Sequence, residues 1–262
     1  MPLPEQLPIP GYEPVRLLGI NLGTLYLARH SSSGTLVALS VFRREFAAHF
    51  RDLHAPLTRL DHRNIIRVFG IGDFEGYSYC ALEYVEKTLA DRLLRGPLPD
   101  VDVARLTQAI ASALRYARDQ GMILRTLTPK GILLNEENVP KLMDFHANDA
   151  PGKSRAIARP SAFMAPEELQ GTTTPATDVY RVGAVMYAML TGEPPFAEQD
   201  GMEATCRKVV EGKPKSPRQL NPRVHGDLEA ICMKCLEKEP EARYRSLQEL
   251  ADKLKPFVES SD

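Results

Sequence analysis

Leu124-Arg125-Thr126-Leu127-Thr128-Pro129-Lys130-Gly131-Ile132-Leu133-Leu134 is an apolar frame around polar positions that carry little chemistry. Leu124, Leu127 and Ile132 to Leu134 supply the frame. Thr126 and Thr128 are uncharged, and Gly131 has no side chain. The stretch follows a segment of helical period. Over Asp100 to Gln120, the apolar residues Val103, Leu106, Ile110, Ala113, Leu114 and Ala117 recur at helix spacing, and Gly121 follows as a stop.

Toward the N-terminus the pattern changes to strands. Pro14 to Arg29, Thr35 to Phe42, Ile65 to Ile71 and Tyr77 to Val85 are rich in β-branched, aromatic and aliphatic residues, with Gly- and Asp-containing turns between them. One helix is predicted among them, from about Arg44 to Leu60, and Pro56 is expected to kink or end it because proline has no N–H to donate. Toward the C-terminus the spacing predicts helices over Thr177 to Thr191, Asp227 to Glu237 and Ser246 to Val258. The last opens on a Ser246–Glu249 capping box. Strands followed by helices imply an α+β architecture, with Glu83 to Glu86 as the crossing point. The reading divides the chain into an extended arm at 1–10, a strand-rich lobe at 11–84, a helical lobe at 85–258 and a tail at 259–262.

The 262 residues suffice for a sizeable core, and 43% hydrophobic with 26% charged residues place the chain among globular proteins. A formal net charge of −1 gives no electrostatic case for nucleic acid or an acidic membrane. Cys80, Cys206, Cys232 and Cys235 do not form a disulfide framework, and a cytoplasmic location is expected. Cys232 and Cys235 make a C-x-x-C inside an amphipathic helix. With no second pair to complete a zinc site, they are read as helix-packing residues. There is no apolar run of spanning length, and the proline-rich start is not a signal peptide, so no membrane segment is expected here.

Several motifs fall in the order and spacing of the protein kinase family, over about residues 11 to 258. Leu18-Gly19-Ile20-Asn21-Leu22-Gly23 resembles the Gly-rich loop, and Val37-Ala38-Leu39-Ser40 resembles V-A-I-K. The opening stretch resembles H-R-D-L-K-P-x-N-I-L-L, Asp144-Phe145-His146 resembles D-F-G, and Ala165-Pro166-Glu167 matches A-P-E. Thr177 to Gly183 and Cys235 to Tyr244 are similar to the central helix and to the arginine-bearing end of the second lobe. The style is similar to bacterial Ser/Thr kinases of the eukaryotic type. The resemblance implies a bilobal fold, with an N-lobe antiparallel sheet plus one helix and a mainly helical C-lobe.

It also implies which positions matter. Ser40 stands at the lysine that neutralises phosphates, and the glutamate that pairs with it falls near Leu53, with Asp52 one residue away. Thr126 stands at the base, Thr128 at the loop lysine and Gly131 at the metal asparagine. Asp144 alone remains of the metal set. His146 replaces the glycine of D-F-G, and two glycines in a loop one residue short make a close phosphate cradle doubtful. Leu18, Leu25, Ala38, Leu82, Leu133 and Met143 would line an adenine-sized pocket, with Glu83 and Val85 offering hinge backbone. Leu57, Val68, Leu124 and Phe145 would form an apolar spine. Glu167 and Arg243 would pair below the activation segment, and Asp178 would hold the catalytic-loop backbone. Arg125 could meet a phosphate on Ser154, Ser161 or Thr172 to Thr174.

From these departures the sequence suggests no enzyme but a pseudokinase. It would serve signalling as a scaffold, docking module or allosteric regulator, its partner an active kinase or other signalling protein. No cofactor is required on this reading, though ATP would bind weakly, with or without Mg²⁺. Two alternatives stand beside it. One is an atypical Ser/Thr kinase or nucleotide transferase with residual ATP binding; the other is a metal-independent nucleotide or small-ligand sensor.

Overall fold

The alternating segments of the first third fold as five antiparallel strands: β1 Tyr12–Ile20, β2 Thr24–His30, β3 Leu36–Arg43, β4 Val68–Phe74 and β5 Tyr77–Glu83, in the order β1-β2-β3-β5-β4. The structure is a computed structural model that describes residues 9–20, 23–124, 126–147, 161–196 and 201–259. Glu75 and Gly76 both take positive φ, 44° and 85°, as the two central residues of the tight β4–β5 hairpin. Alternation along β3 divides its side chains between two cores. Val37, Leu39 and Val41 join Ile9, Tyr26 and Ala81 on the outer face, while Ala38 and Phe42 face the main core.

The predicted helix from Arg44 to Leu60 is three shorter pieces: a 3₁₀ turn at Arg44–Phe46, α1 at Ala47–His54 and a second 3₁₀ turn at Leu57–Arg59. The chain keeps helical dihedrals through Ala55 and Pro56, but proline has no N–H to continue the ladder, and the α-helix stops at His54. Phe50 and His54, four residues apart, are buried on the inward face of α1 with ring centroids 4.6 Å apart.

The second lobe is helical. It comprises α2 Leu89–Leu93, α3 Asp100–Asp119, α4 Pro175–Thr191, α5 Met202–Glu211, α6 Pro217–Leu220, α7 Gly226–Cys235 and α8 Leu247–Glu259. Short strands β6 Lys87–Thr88, β8 Ile132–Leu134 and β9 Pro140–Leu142 form one small sheet, and β7 Met122–Leu124 pairs with β10 Phe145–Ala147. The helices α2, α5 and α6 and these short strands were not anticipated. The strands are two or three residues long, too short for any hydrophobic period to show. Every residue of α4 from Thr177 to Thr191 is buried, and Gly192 at φ 83° closes the helix. At the start of α8, Ser246 accepts the Glu249 N–H (3.1 Å). The Glu249 carboxylate takes the Arg245 N–H (2.8 Å), one residue before the position a full capping box uses.

Cys232 and Cys235 are buried free thiols on the α7 face against α4, and burial raises both thiol pKa values. A methyl built on Gly183 of α4 would overlap the Cys235 side chain, so the small residue lets the two helices approach. The C-x-x-C is a packing feature, as its sequence context suggested. No described helix is long and apolar enough to cross a membrane.

Candidate active-site cleft

The cleft between the lobes is built from side chains that the strands deliver to the inner sheet face and that the small sheets raise from below. Ala38 on β3, Leu82 on β5, Leu133 on β8, Met143, and Val85 after β5 all meet within one core cluster. Leu18 and Leu25 lie half-buried on the paired strands β1 and β2. Glu83 is committed to the protein: its carboxylate holds Lys141 Nζ at 2.8 Å and accepts the Arg67 N–H at 3.2 Å. Its backbone N–H donates to Arg67 O at 2.8 Å. The spine residues Leu57, Leu124 and Phe145 are buried in the same core, with Val68 packed against it, and β7–β10 pairing sets Leu124 opposite Phe145.

Ser40 is buried on the inner face, flanked across the sheet by Leu25 and Cys80. Leu53 is half-buried against the core and Asp52 is exposed, so α1 turns Phe50 and His54 inward and brings no carboxylate to Ser40. Phe42, two residues beyond Ser40 on the same face, completes an aromatic cluster. Its ring centroid lies 5.7 Å from Phe50 and 5.9 Å from each of His49 and His54. The sequence reading missed this cluster. Its one signal was the Phe50–His54 spacing of four, which marks a helix face without naming its partner.

Burial lowers the His54 pKa, against the hydrogen bond from its Nδ1 to the Phe50 carbonyl at 3.0 Å. The unfolded chain therefore takes up this proton at a higher pH than the native state. The protein is expected to lose stability as pH falls below about 6.5. His54→Phe should flatten that part of a urea-denaturation profile measured between about pH 5 and 7. An unchanged slope would place the titrating group elsewhere.

In the catalytic-loop segment Thr126 is exposed and Thr128 half-buried, and Gly131 ends a 3₁₀ turn at Pro129–Gly131 with its N–H on Thr128 O at 2.9 Å. Asp144 is half-buried with φ 75°, a left-handed conformation in which Asp is enriched. No group of three or more His, Cys, Asp and Glu able to hold a metal occurs among the described residues. Arg125, Ser154 and the His146 side chain lie outside the described residues. Of the other phosphate-acceptor candidates, Ser161 accepts the Phe163 N–H at 3.3 Å, Thr172 and Thr173 are exposed, and Thr174 caps α4.

Below the loop the charged frame is complete. Arg243 meets both Glu167 oxygens, at 2.7 and 2.9 Å. Burial works to raise the Glu167 pKa, and the hydrogen bonds and charge of Arg243, with a hydrogen bond from Thr177, overcome it and hold it below the usual value. Asp178 accepts from Arg118 Nε at 3.0 Å. Among the described contacts it is Arg181, one turn along α4, that reaches the loop backbone, donating to Leu124 O at 2.9 Å while paired with buried Glu168. Sequence reasoning missed Glu168 and Arg181. A separate cavity of about 770 Å³, lined in part by Arg63, Asp102, Arg105 and Glu137, lies between α3 and the turn before β9.

Residues 12–254 match the protein kinase domain. The chain belongs to the protein kinase family. It is 30% identical over 259 residues to the serine/threonine-protein kinase PknB of Mycobacterium leprae, an alignment that covers 91% of this chain and 42% of that protein. It is 29% identical over 254 residues to a probable serine/threonine-protein kinase of Clostridium perfringens, covering 91% and 37%. The chain thus spans about two fifths of the length of these curated relatives.

The family match corrects one expectation. The sequence reading took the absent lysine, base and asparagine to mean that the chain is no enzyme; its family and its named relatives are protein kinases. The inference failed because phosphoryl transfer relies on positioning and electrostatics, and each lost group lowers a rate without setting it to zero. A missing base typically costs about 10²–10⁴ in rate, against total enhancements of about 10⁶ and upward.

The fit of Mg²⁺-ATP to the described residues is poor all the same. Ser40 carries no charge with which to neutralise a phosphate, Gly131 has no side chain to offer a metal, and the Phe42 ring lies against Gly23. No mechanistic step is therefore routed through a bound nucleotide or metal.

Proposed function

We propose that this kinase-family domain acts in signalling through docking or allosteric contact with a protein partner, an active kinase or another signalling protein, and that its cleft takes adenine-type ligands weakly. The observation that supports this reading is the contrast within one lobe. The Glu167–Arg243 and Glu168–Arg181 pairs hold the activation-segment anchor and the loop carbonyl of Leu124 in place. The positions they frame, Thr126, Thr128 and Gly131, carry no charge. A surface kept in register by buried ion pairs suits recognition by another protein.

Adding the chain to an active Ser/Thr kinase of the same type should change that kinase's kcat/KM for a peptide at least twofold. An unchanged rate, together with no association by calorimetry, would sink the docking reading.

The relatives' names favour a second reading: an atypical Ser/Thr kinase or nucleotide transferase with Asp144 as its carboxylate at the metal position. It predicts labelled-phosphate transfer to a generic protein substrate that is lost in Asp144→Ala. Transfer that survives Asp144→Ala would exclude this route.

A further inference from the structure

The cavity of about 770 Å³ between α3 and the turn before β9 takes in none of Ser40, Thr126, Thr128, Gly131 and Asp144. Its floor is apolar, lined by Leu98, Leu106, Leu134, Val139 and Val258. A smaller hollow of about 270 Å³ continues it along α3 toward α8, and the two share Gln108 and Ser112. Arg105, Gln108, Ser112 and Arg115 recur at spacings of three and four residues, so one face of α3 forms the long wall of a single groove. From Asp102 to Arg115 that wall runs about 20 Å, the reach of about six residues of extended chain.

The charge of the groove is one-sided. Arg63, Arg92, Arg105, Arg115 and Lys255 line it against Asp102 and Glu137, in a chain whose formal net charge is −1. Both carboxylates border the larger hollow, and the smaller one has no acid among its described lining residues. Lys255 pairs with Asp252 at 2.7 Å, whereas Arg63, Arg92 and Arg115 enter no ion pair among the described residues. The positive field reaches the place where the hollows meet. His62 Nε2 lies 3.3 Å from Ser112 Oγ. Burial lowers the His62 pKa, and the charges of Arg63 and Arg115 lower it further, with Asp61 acting against them.

A phosphate or other small anion would engage the cations and leave the apolar floor in water. A purely apolar segment would cover the floor and take the arginines out of water without partners. An extended acidic segment satisfies both, because alternate side chains point opposite ways and a carboxylate meets a guanidinium through two parallel hydrogen bonds.

We propose that the groove along α3 docks an extended acidic segment of a partner protein, its apolar side chains over Leu106, Leu134 and Val139 and its carboxylates on Arg63, Arg105 and Arg115. This rests on the docking reading above and gives it a place and a partner chemistry.

Fluorescence anisotropy of the whole chain with three labelled decapeptides tests it: one alternates Glu with Leu, one Lys with Leu, and one Glu with Ser. The Glu-Leu peptide is expected to bind at least tenfold tighter than the Lys-Leu peptide and at least fivefold tighter than the Glu-Ser peptide. Equal binding of the two acidic peptides would reduce the groove to a general anion site, and preference for the Lys-Leu peptide would reverse the charge argument. Either result overturns the proposal, as does binding of none of the three.

Two variants fix the place. Arg63→Glu combined with Arg115→Glu should weaken the Glu-Leu peptide at least tenfold. Ala109→Phe, on the α3 wall, fills the larger hollow and should weaken it at least fivefold. Unchanged affinity in either variant, with a thermal melt showing a folded chain, would overturn the proposal. So would a dimer of the unliganded chain in sedimentation that dissociates in Ala109→Phe, which would make a second copy the occupant. A peptide that binds as expected, beside an active kinase left unchanged, would overturn the docking reading alone. A changed kinase rate with no peptide bound would overturn this inference alone.

Discussion

Replacing Arg243 by alanine is expected to cost about 3–5 kcal/mol of stability in urea titration, enough to leave much of the chain unfolded at 37 °C. The side chain is fully buried and all five of its N–H groups are used. Nε donates to Glu237 O at 2.8 Å, and Nη1 to Glu167 at 2.7 Å and Ala176 O at 3.0 Å. Nη2 donates to Glu167 at 2.9 Å and Lys238 O at 2.8 Å. The guanidinium also lies over the Tyr180 ring, 4.9 Å from its centroid. Removing it strands a half-buried carboxylate and three carbonyls at once.

Arg243→Lys should recover little, because an ammonium has three donors and no planar fork to meet both Glu167 oxygens. The sign of the pH dependence follows from Glu167. Its folded pKa is lowered from 4.5, so the pair contributes its full stability above about pH 4.5 and loses it as pH falls through the lower folded value. In Arg243→Ala that acid-side loss should shrink. A loss below about 1 kcal/mol would mean that the anchor of the activation segment is held by something other than this pair.

Much of this frame was legible in the sequence, because the motifs are local. Ala165-Pro166-Glu167, the Asp178 segment and the Arg243 segment each announce themselves over a few residues, and their order along the chain gave the two lobes. Ser40, Thr126, Thr128 and Gly131 are identities read directly from the chain; Ser40 lies on β3, and Thr128 and Gly131 flank and end the 3₁₀ turn at Pro129–Gly131. What the residues do together was not legible. Phe42 meets Gly23 only because a hairpin register sets them side by side, and neither residue carries that register in its own identity. The glutamate position falls near Leu53 by counting, and in α1 Phe50 and His54 are buried with Leu53 half-buried against the same core. The short helix between a 3₁₀ turn and Pro56 made counting along it unreliable. The step from missing groups to missing function was a different kind of error, since a list of absent side chains contains no rate.

Arg181 and Glu168 form the second buried pair, and here removal of one partner and removal of both should have opposite outcomes. Among the described residues, Arg181→Ala leaves buried Glu168 with the Ala165 N–H, at 2.8 Å, and removes the guanidinium donor from Leu124 O. A loss of about 3–5 kcal/mol is expected. The double variant Glu168→Leu with Arg181→Met replaces both charges by apolar groups of similar volume. It should recover most of that loss, because neither ion then has to be desolvated. Asp178 keeps its bond from Arg118 Nε at 3.0 Å in either background.

Recovery of stability should not restore the loop. Leu124 O would remain without the guanidinium that ties it to α4, so hydrogen exchange in the segment from Leu124 to Leu127 should be at least tenfold faster than in the wild type, with the α4 core unchanged. A double variant as unstable as Arg181→Ala would show that the pair supplies stability in its own right. One with wild-type exchange in the loop would show that Arg181 holds only Glu168. The predicted combination, restored stability with a loosened loop, separates the two roles of Arg181: neutralising a buried carboxylate and fixing the backbone of the segment where this family does its chemistry.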